Sequence, residues 1–199
     1  MKQVVFIHGG SDFRSYEEFI SYIKNEPVKI SDFQTKKRWK QTLDQDLGEE
    51  YQVFTPEMPN KQNAHYEEWK IWFERLIPFL QNDVILVGHS LGGIFLAKYL
   101  SENTFPVAIK ATILISAPYD DTNLEPPLGD FKLSNSLTKL AEQGGHIHLL
   151  HAQDDPVVPS SHSESYHQAL PGSKFHLLET GGHFLTPEFP ELIDLIKSL

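Results

Sequence analysis

Asp83-Val84-Ile85-Leu86-Val87-Gly88-His89-Ser90-Leu91-Gly92-Gly93-Ile94-Phe95-Leu96-Ala97-Lys98-Tyr99-Leu100 carries the reading that decides the fold. An apolar, β-branched run ends in Gly-His-Ser-Leu-Gly, and a helical pattern begins at once. A serine hydroxyl is a weak nucleophile until it is presented to a base. A sharp strand-to-helix turn makes that presentation by lifting the serine above the sheet. Glycines two before and two after are required because side chains there collide across the turn. The same turn puts the Leu91 amide at a helix N-terminus, where developing negative charge is stabilised. The bare Gly-x-Ser-x-Gly pattern arises by chance in about one chain in fifteen of this length. The strand before it and the helix after it therefore carry the weight.

Working outward, short apolar runs alternate with longer helical segments. The predicted strands are 3–7, 51–54, 83–87, 111–115, 147–151 and 174–178. Most are apolar on both faces, as in a parallel sheet covered by helices on both sides. The predicted helices include 65–80, 90–102 and 188–199. In the first, Trp69, Trp72, Phe73, Leu76 and Leu80 form one stripe facing the core, and Pro78 ends or kinks it. The alternation predicts an α/β fold with a doubly wound, mainly parallel sheet. Ligands of such sheets bind beyond the C-terminal strand ends.

The other informative residues follow those strand ends. The first strand runs into His8-Gly9-Gly10-Ser11, where glycines let backbone approach a substrate and Gly10 or Ser11 offers a second oxyanion amide. His8 braces that loop. The fifth strand leads to Asp154-Asp155-Pro156-Val157-Val158-Pro159, a proline-stiffened loop bearing two candidate carboxylates. Asp120 and Asp121, after the fourth strand, are alternatives to them. The sixth strand ends in Gly181-Gly182-His183-Phe184, a histidine on a flexible loop that can reach the serine. His183 then serves as base, and the carboxylate fixes its tautomer and stabilises the imidazolium. His89, beside the serine, is expected to point away from the hydroxyl. Ser11, His89, Tyr119 and Phe184 flank these groups and are the candidate substrate contacts.

At these residues the chain resembles the α/β-hydrolase superfamily, across essentially its whole length. Val5-Phe6-Ile7-His8-Gly9-Gly10, Gly88-His89-Ser90-Leu91-Gly92-Gly93, Asp155-Pro156-Val157-Val158-Pro159 and Gly182-His183-Phe184 carry the resemblance. In that family the acid commonly precedes a Pro-hydrophobic-Val-Pro stretch, which favours Asp155 over Asp154. Opening on the His-Gly strand without a preceding hairpin looks most like the small capless hydrolases of the retinoblastoma-binding protein 9 type, as does the aromatic helix Tyr66-Glu67-Glu68-Trp69-Lys70-Ile71-Trp72. The resemblance implies one α/β-hydrolase domain over 1–199. It also implies a six-stranded sheet in the order 2-1-3-4-5-6 without a large cap. Ser90, Asp155 and His183 would be the catalytic set, with Leu91 and Gly10 as oxyanion donors. Segment 25–48 is longer than that group's minimal first crossover and is expected to hold an extra helix around Trp39.

Composition bounds the chemistry. The 199 residues suit one compact domain, and net charge is −10. Such a surface repels nucleic acid and anionic lipid. Without cysteine there are no disulfides, thiolate metal sites or cysteine nucleophile. The N-terminal apolar run is too short for a signal peptide, and no stretch is long enough to span a membrane. A cytoplasmic monomer acting on a small acyl compound (an ester, thioester or amide), with no cofactor, is expected. His146, His148 and His151 invite a zinc reading, but 151 falls on the opposite strand face from the other two. No metal is therefore expected. Lys36-Lys37-Arg38 reads as a solvated helix face. Loop 117–129 is too short for a large cap but can wall one side of a pocket. Two other functions fit the same pattern: a binding or scaffold protein without turnover, and lyase or acyl-transfer chemistry on the same residues.

Overall fold

The computed structural model describes residues 1–133 and 136–199. Six strands form one parallel sheet: β1 (Lys2–Ile7), β2 (Tyr51–Phe54), β3 (Val84–His89), β4 (Ile109–Ile115), β5 (His146–Ala152) and β6 (Lys174–Leu178). Their spatial order is β2-β1-β3-β4-β5-β6, the order the resemblance implies. Alternate residues of each strand face opposite layers. Val5, Ile7, Leu86, Leu114 and Leu149 pack under α3 (Tyr66–Leu76), α4 (Leu91–Glu102), α5 (Thr138–Gln143) and α6 (Ser161–Ala169). Val4, Phe6, Ile85, Val87, Ile113 and Ile115 pack against α2 (Leu43–Leu47) and α7 (Pro190–Ser198). Two-sided burial explains why the strands read as continuous apolar runs.

Because the chain leaves β1 for the edge strand β2 and returns to β3, the order in which strands are added reverses between β1 and β3. A crevice opens at that switch point beyond the strand ends. The loops after β1 and β3, which carry Gly10 and Ser90, sit there.

Two details differ from the sequence reading, the exposure of Trp72 and the structure around Trp39, while Pro78 ends the first long helix as expected. Helix α3 stops at Leu76 and tightens to a 3₁₀ turn, Ile77–Phe79, around Pro78. Its buried arc is narrower than the aromatic stripe implies. Tyr66, Trp69 and Phe73 are buried, whereas Trp72 lies off that line and is 45 % exposed. The long crossover forms helix α1 (Tyr16–Asn25), the 3₁₀ turns Ile30–Phe33 and Trp39–Gln41, and then α2. Trp39 is buried and its Nε1–H donates to the Phe184 carbonyl at 2.8 Å, so this insertion braces a loop from the far end of the sequence. Among the described residues no helix is long and apolar enough to cross a membrane.

Candidate active site

Ser90 occupies the turn between β3 and α4 with φ 55° and ψ −123°. For a residue with a side chain this backbone costs about 1–3 kcal/mol and persists only where the surroundings impose it. They do so through close packing. A Cβ on Gly88 would stand 2.4 Å from the Gly92 carbonyl oxygen, and one on Gly92 would stand 2.3 Å from that of Ile7. Both are backbone oxygens, one in the first turn of α4 and one at the end of β1, and neither can give way cheaply, so the glycines of the motif follow from sterics. The Ser90 amide donates to Ile115 O at 2.8 Å, tying the turn to β4.

The loop after β1 lies against this turn. A Cβ on Gly9 would come within 3.0 Å of Ser90 Cβ. The Ser11 amide is already committed, donating to Lys61 O at 2.9 Å. The amides of Gly10 and Leu91 have no partner among the described residues. His8 holds the loop by donating from Nδ1 to Gly9 O (2.7 Å) and accepting the Met58 amide at Nε2 (2.8 Å). Both of its ring nitrogens are thus occupied, and burial lowers its pKa below the usual histidine value.

The structure brings His183 and Asp155 together. His183 Nδ1–H donates to Asp155 Oδ2 at 2.9 Å, with Oδ1 at 3.1 Å. Asp155 also accepts from Ser116 Oγ (2.7 Å) and from the amides of Val157 (2.8 Å) and Val158 (3.0 Å). Its burial favours the neutral acid, but the hydrogen bonds from His183, Ser116 and Val158 outweigh it and hold the pKa at about 2. Asp154 faces elsewhere: it is exposed and accepts the Gly182 amide at 2.8 Å, stabilising the loop below His183. Asp120 accepts the Thr122 amide and stands near His162, while Asp121 pairs with Lys132.

With Nδ1 engaged, His183 Nε2 is free of hydrogen bonds among the described residues, as is Ser90 Oγ. No bond closes between them. His89, the residue before Ser90, ties the end of β3 to the His183 loop: its Nε2–H donates to the His183 carbonyl at 2.9 Å, with ring centroids 4.8 Å apart. Burial, reinforced by His183, holds His89 at about 3, so it stays a neutral strut.

A cleft of about 180 Å³ opens at Ser90, bordered by Gly10, Ser11, Leu91, Pro118, Leu124 and Val158. Tyr22 of α1, the prolines at 126 and 127 and the carboxylates Asp12 and Glu125 also line it. Of the four expected substrate contacts, Ser11 lines this cleft. Tyr119 instead packs edge-on against Tyr166 at 4.9 Å. His89 and Phe184 are buried at 4 % and 3 % exposure. His89 ends β3 with its ring near those of His183 and Trp39. Phe184, at φ 48°, turns inward to stack on Phe189.

Two supporting residues escaped the sequence reading. Ser116 follows β4 at φ 44°, where Ser-Ala-Pro looks like any loop. Its only cue was its place at a strand end. His151 is fully buried, donates from Nε2 to Val158 O (2.8 Å) and accepts Ser163 Oγ at Nδ1 (2.7 Å). It thereby holds the loop that carries Asp155. His148 pairs with His176 across β5 and β6, 3.0 Å between nitrogens, away from these residues. Among the described residues no group of three or more His, Asp or Glu side chains could hold a metal ion.

Comparison with known proteins bears on family and fold. The family model described as serine hydrolase matches residues 32–189. Serine hydrolase RBBP9 of Rattus norvegicus is 27 % identical over 157 residues, covering 75 % of this chain and 78 % of the relative. The crystal structure of the ydeN gene product from B. subtilis superposes with a TM-score of 0.72 at 24 % identity, covering 100 % of this chain and 98 % of that one. The meta-cleavage product hydrolase from Pseudomonas fluorescens IP01 shares the fold at a TM-score of 0.68 and 14 % identity, over 100 % of this chain and 90 % of that one. By the family match the chain belongs to the serine hydrolase family, and it is similar in sequence to RBBP9 and in fold to YdeN.

Proposed function

We propose that the protein hydrolyses small or medium acyl esters or thioesters through an acyl-enzyme on Ser90. The observation that carries this reading is the strained Ser90 turn, together with an imidazole whose Nδ1 is locked onto a buried, ionised carboxylate. That lock leaves His183 Nε2 as the only ring nitrogen able to take a proton.

In the proposed cycle Ser90 Oγ attacks the acyl carbonyl carbon while its proton passes to His183 Nε2. Asp155 stabilises the imidazolium without itself being protonated. The carbonyl oxygen becomes an oxyanion and accepts from the free amides of Gly10 and Leu91, donors of a kind each worth about 10²–10³ in rate. Collapse expels the alcohol or thiol, which carries away the proton from Nε2. Water then repeats the sequence, releasing the acid and restoring Ser90. The apolar wall of Pro118, Leu124 and Val158 and the modest cleft favour a short acyl chain over a bulky one.

The test is labelling by a fluorophosphonate probe, with the adduct located by peptide mass spectrometry. Wild type is expected to be modified on Ser90, and neither Ser90→Ala nor His183→Ala is expected to be labelled. Hydrolysis of p-nitrophenyl acetate should fall to background in the same two variants. A folded wild-type protein that takes no label overturns the reading and leaves a binding role on this fold.

A further inference from the structure

A second and larger cavity, about 510 Å³, lies at the ends of β1 and β2 and is unused by the chemistry above. His8 forms part of its wall, whereas Gly10 and Ser11, two and three residues further on, border the Ser90 cleft. The His8–Ser11 loop is therefore shared by the two. Four cations line the cavity: Lys36, Arg38 and Lys40 from the long crossover, and Lys61 from the loop after β2. The chain has only 17 lysines and arginines and a net charge of −10, so four converging on one concavity runs against its overall charge.

The wall also holds two carboxylates, Asp44 and Glu57, which leaves a surplus of two positive charges. Lys61 pairs with Glu57 at 2.9 Å, and Lys36 pairs with Asp32, outside the wall, at 3.1 Å. Both pairs are exposed and such pairs contribute little, so either lysine can turn to a better partner. Arg38 and Lys40 have no carboxylate within ion-pairing distance among the described residues. Lys40 is half-buried, and its pKa is lowered by that burial and then by repulsion from Lys61, with a smaller contribution from Arg38 and partial relief from Glu57. A partly desolvated ammonium facing other cations is unfavourable unless an anion joins it.

We propose that this cavity binds a phosphate-bearing small molecule. A phosphate monoester near neutral pH carries about two negative charges and three acceptor oxygens, matching the surplus of two and donors arriving from several directions. A single carboxylate offers two oxygens in one plane and neutralises half of it. The guanidinium of Arg38 supplies a fork for two phosphate oxygens, and the lysines supply point charges around the third. His8 contributes no charge, since both of its nitrogens are occupied within the loop. The cavity is large enough for the molecule that bears the phosphate as well as the phosphate itself.

Calorimetric titration of the whole protein at pH 7.5 and low salt, with inorganic pyrophosphate as probe and citrate as a carboxylate control, tests this. Pyrophosphate is expected to bind one per chain, with affinity falling as salt is raised. Arg38→Gln with Lys40→Gln should weaken it at least about tenfold, as loss of charge-assisted bonds does. Lys70→Gln with Lys110→Gln, remote from the cavity, should leave binding unchanged. So should Ser90→Ala, which keeps the outcome separate from the hydrolase reading. If the double variant loses thermal stability, Lys36→Gln with Lys61→Gln provides the same readout from the opposite wall. The absence of saturable binding, wild-type affinity in both cavity variants, or tighter binding of citrate than of pyrophosphate overturns the proposal.

Discussion

At the carboxylate of Asp155, Ser116 Oγ, two amides and His183 Nδ1 all deliver donors to one buried side chain. An acceptor-only group suits all of them, and an amide side chain does not. Asp155→Asn must turn an NH₂ toward at least one of these donors, and it favours the wrong His183 tautomer. We expect kcat for p-nitrophenyl acetate to fall about 10³-fold or more with KM little changed. Asp154→Asn is the contrasting test. Its Oδ1 still accepts the Gly182 amide, so activity should stay within about twofold. Equal losses in the two variants would mean that Asp155 is not the group orienting His183. Ser116→Ala removes a single charge-assisted bond from Asp155. A fall of about tenfold in kcat is expected from a loss on the order of 1.4 kcal/mol. The pair Asp154-Asp155 shows where sequence stops: both carboxylates follow the same strand end, and one residue of register decides which faces the imidazole. Family resemblance pointed to Asp155, and the hydrogen bonds give the physical reason.

Elements show the same division between what the chain announces and what packing adds. The four inner strands were legible because two-sided burial leaves little freedom of composition, and the Ser90 turn because its glycines face backbone oxygens. Trp72 was misread because three-residue spacing from Trp69 does not say how wide the buried arc is. The helix expected around Trp39 is a 3₁₀ turn, Trp39–Gln41, leading into the short α2, and what the 25–48 insertion does was not legible. A hydrogen bond from Trp39 to Phe184 spans 145 residues and has no local signature. Phe184 directly follows His183, and its φ of 48° makes it depend on such support. Trp39→Phe keeps the ring packed on Phe6 and Phe189 but leaves the Phe184 carbonyl without its donor. A loss of about 1–2 kcal/mol is expected, seen as a Tm lower by a few degrees. If the insertion positions the His183 loop, kcat should drop as well while the Ser90 cleft retains its KM. An unchanged kcat in the folded variant would reduce Trp39 to a packing residue.

Across the whole molecule, the loop after β1 is tied to the far side of α3 through two acids. Asp130 accepts the Tyr66 amide at the start of α3, and its own amide donates to Asp12 Oδ2 at 3.1 Å. Burial, and then the neighbouring Asp130, push Asp12 up to about 7. In the unfolded chain the same carboxyl releases its proton near 3.8. Between those values the folded state holds the extra proton, so stability from this group declines as pH rises from about 4 to 7 and is flat beyond. Asp155 runs the other way. Held at about 2, it contributes stability that is complete above 3.8 and is lost only as pH falls from there toward 2. The two windows do not overlap, so they can be separated by a thermal series. Asp12→Asn keeps an acceptor for the Asp130 amide and offers an N–H to its carboxylate. Its Tm should match wild type near pH 4, rise progressively above it, and reach a constant gain of a few degrees beyond pH 7. The acid-side loss below 3.8 should be unchanged in that variant, because Asp155 is untouched. A gain independent of pH would mean that Asp12 is ionised throughout and that the substitution acts by packing alone.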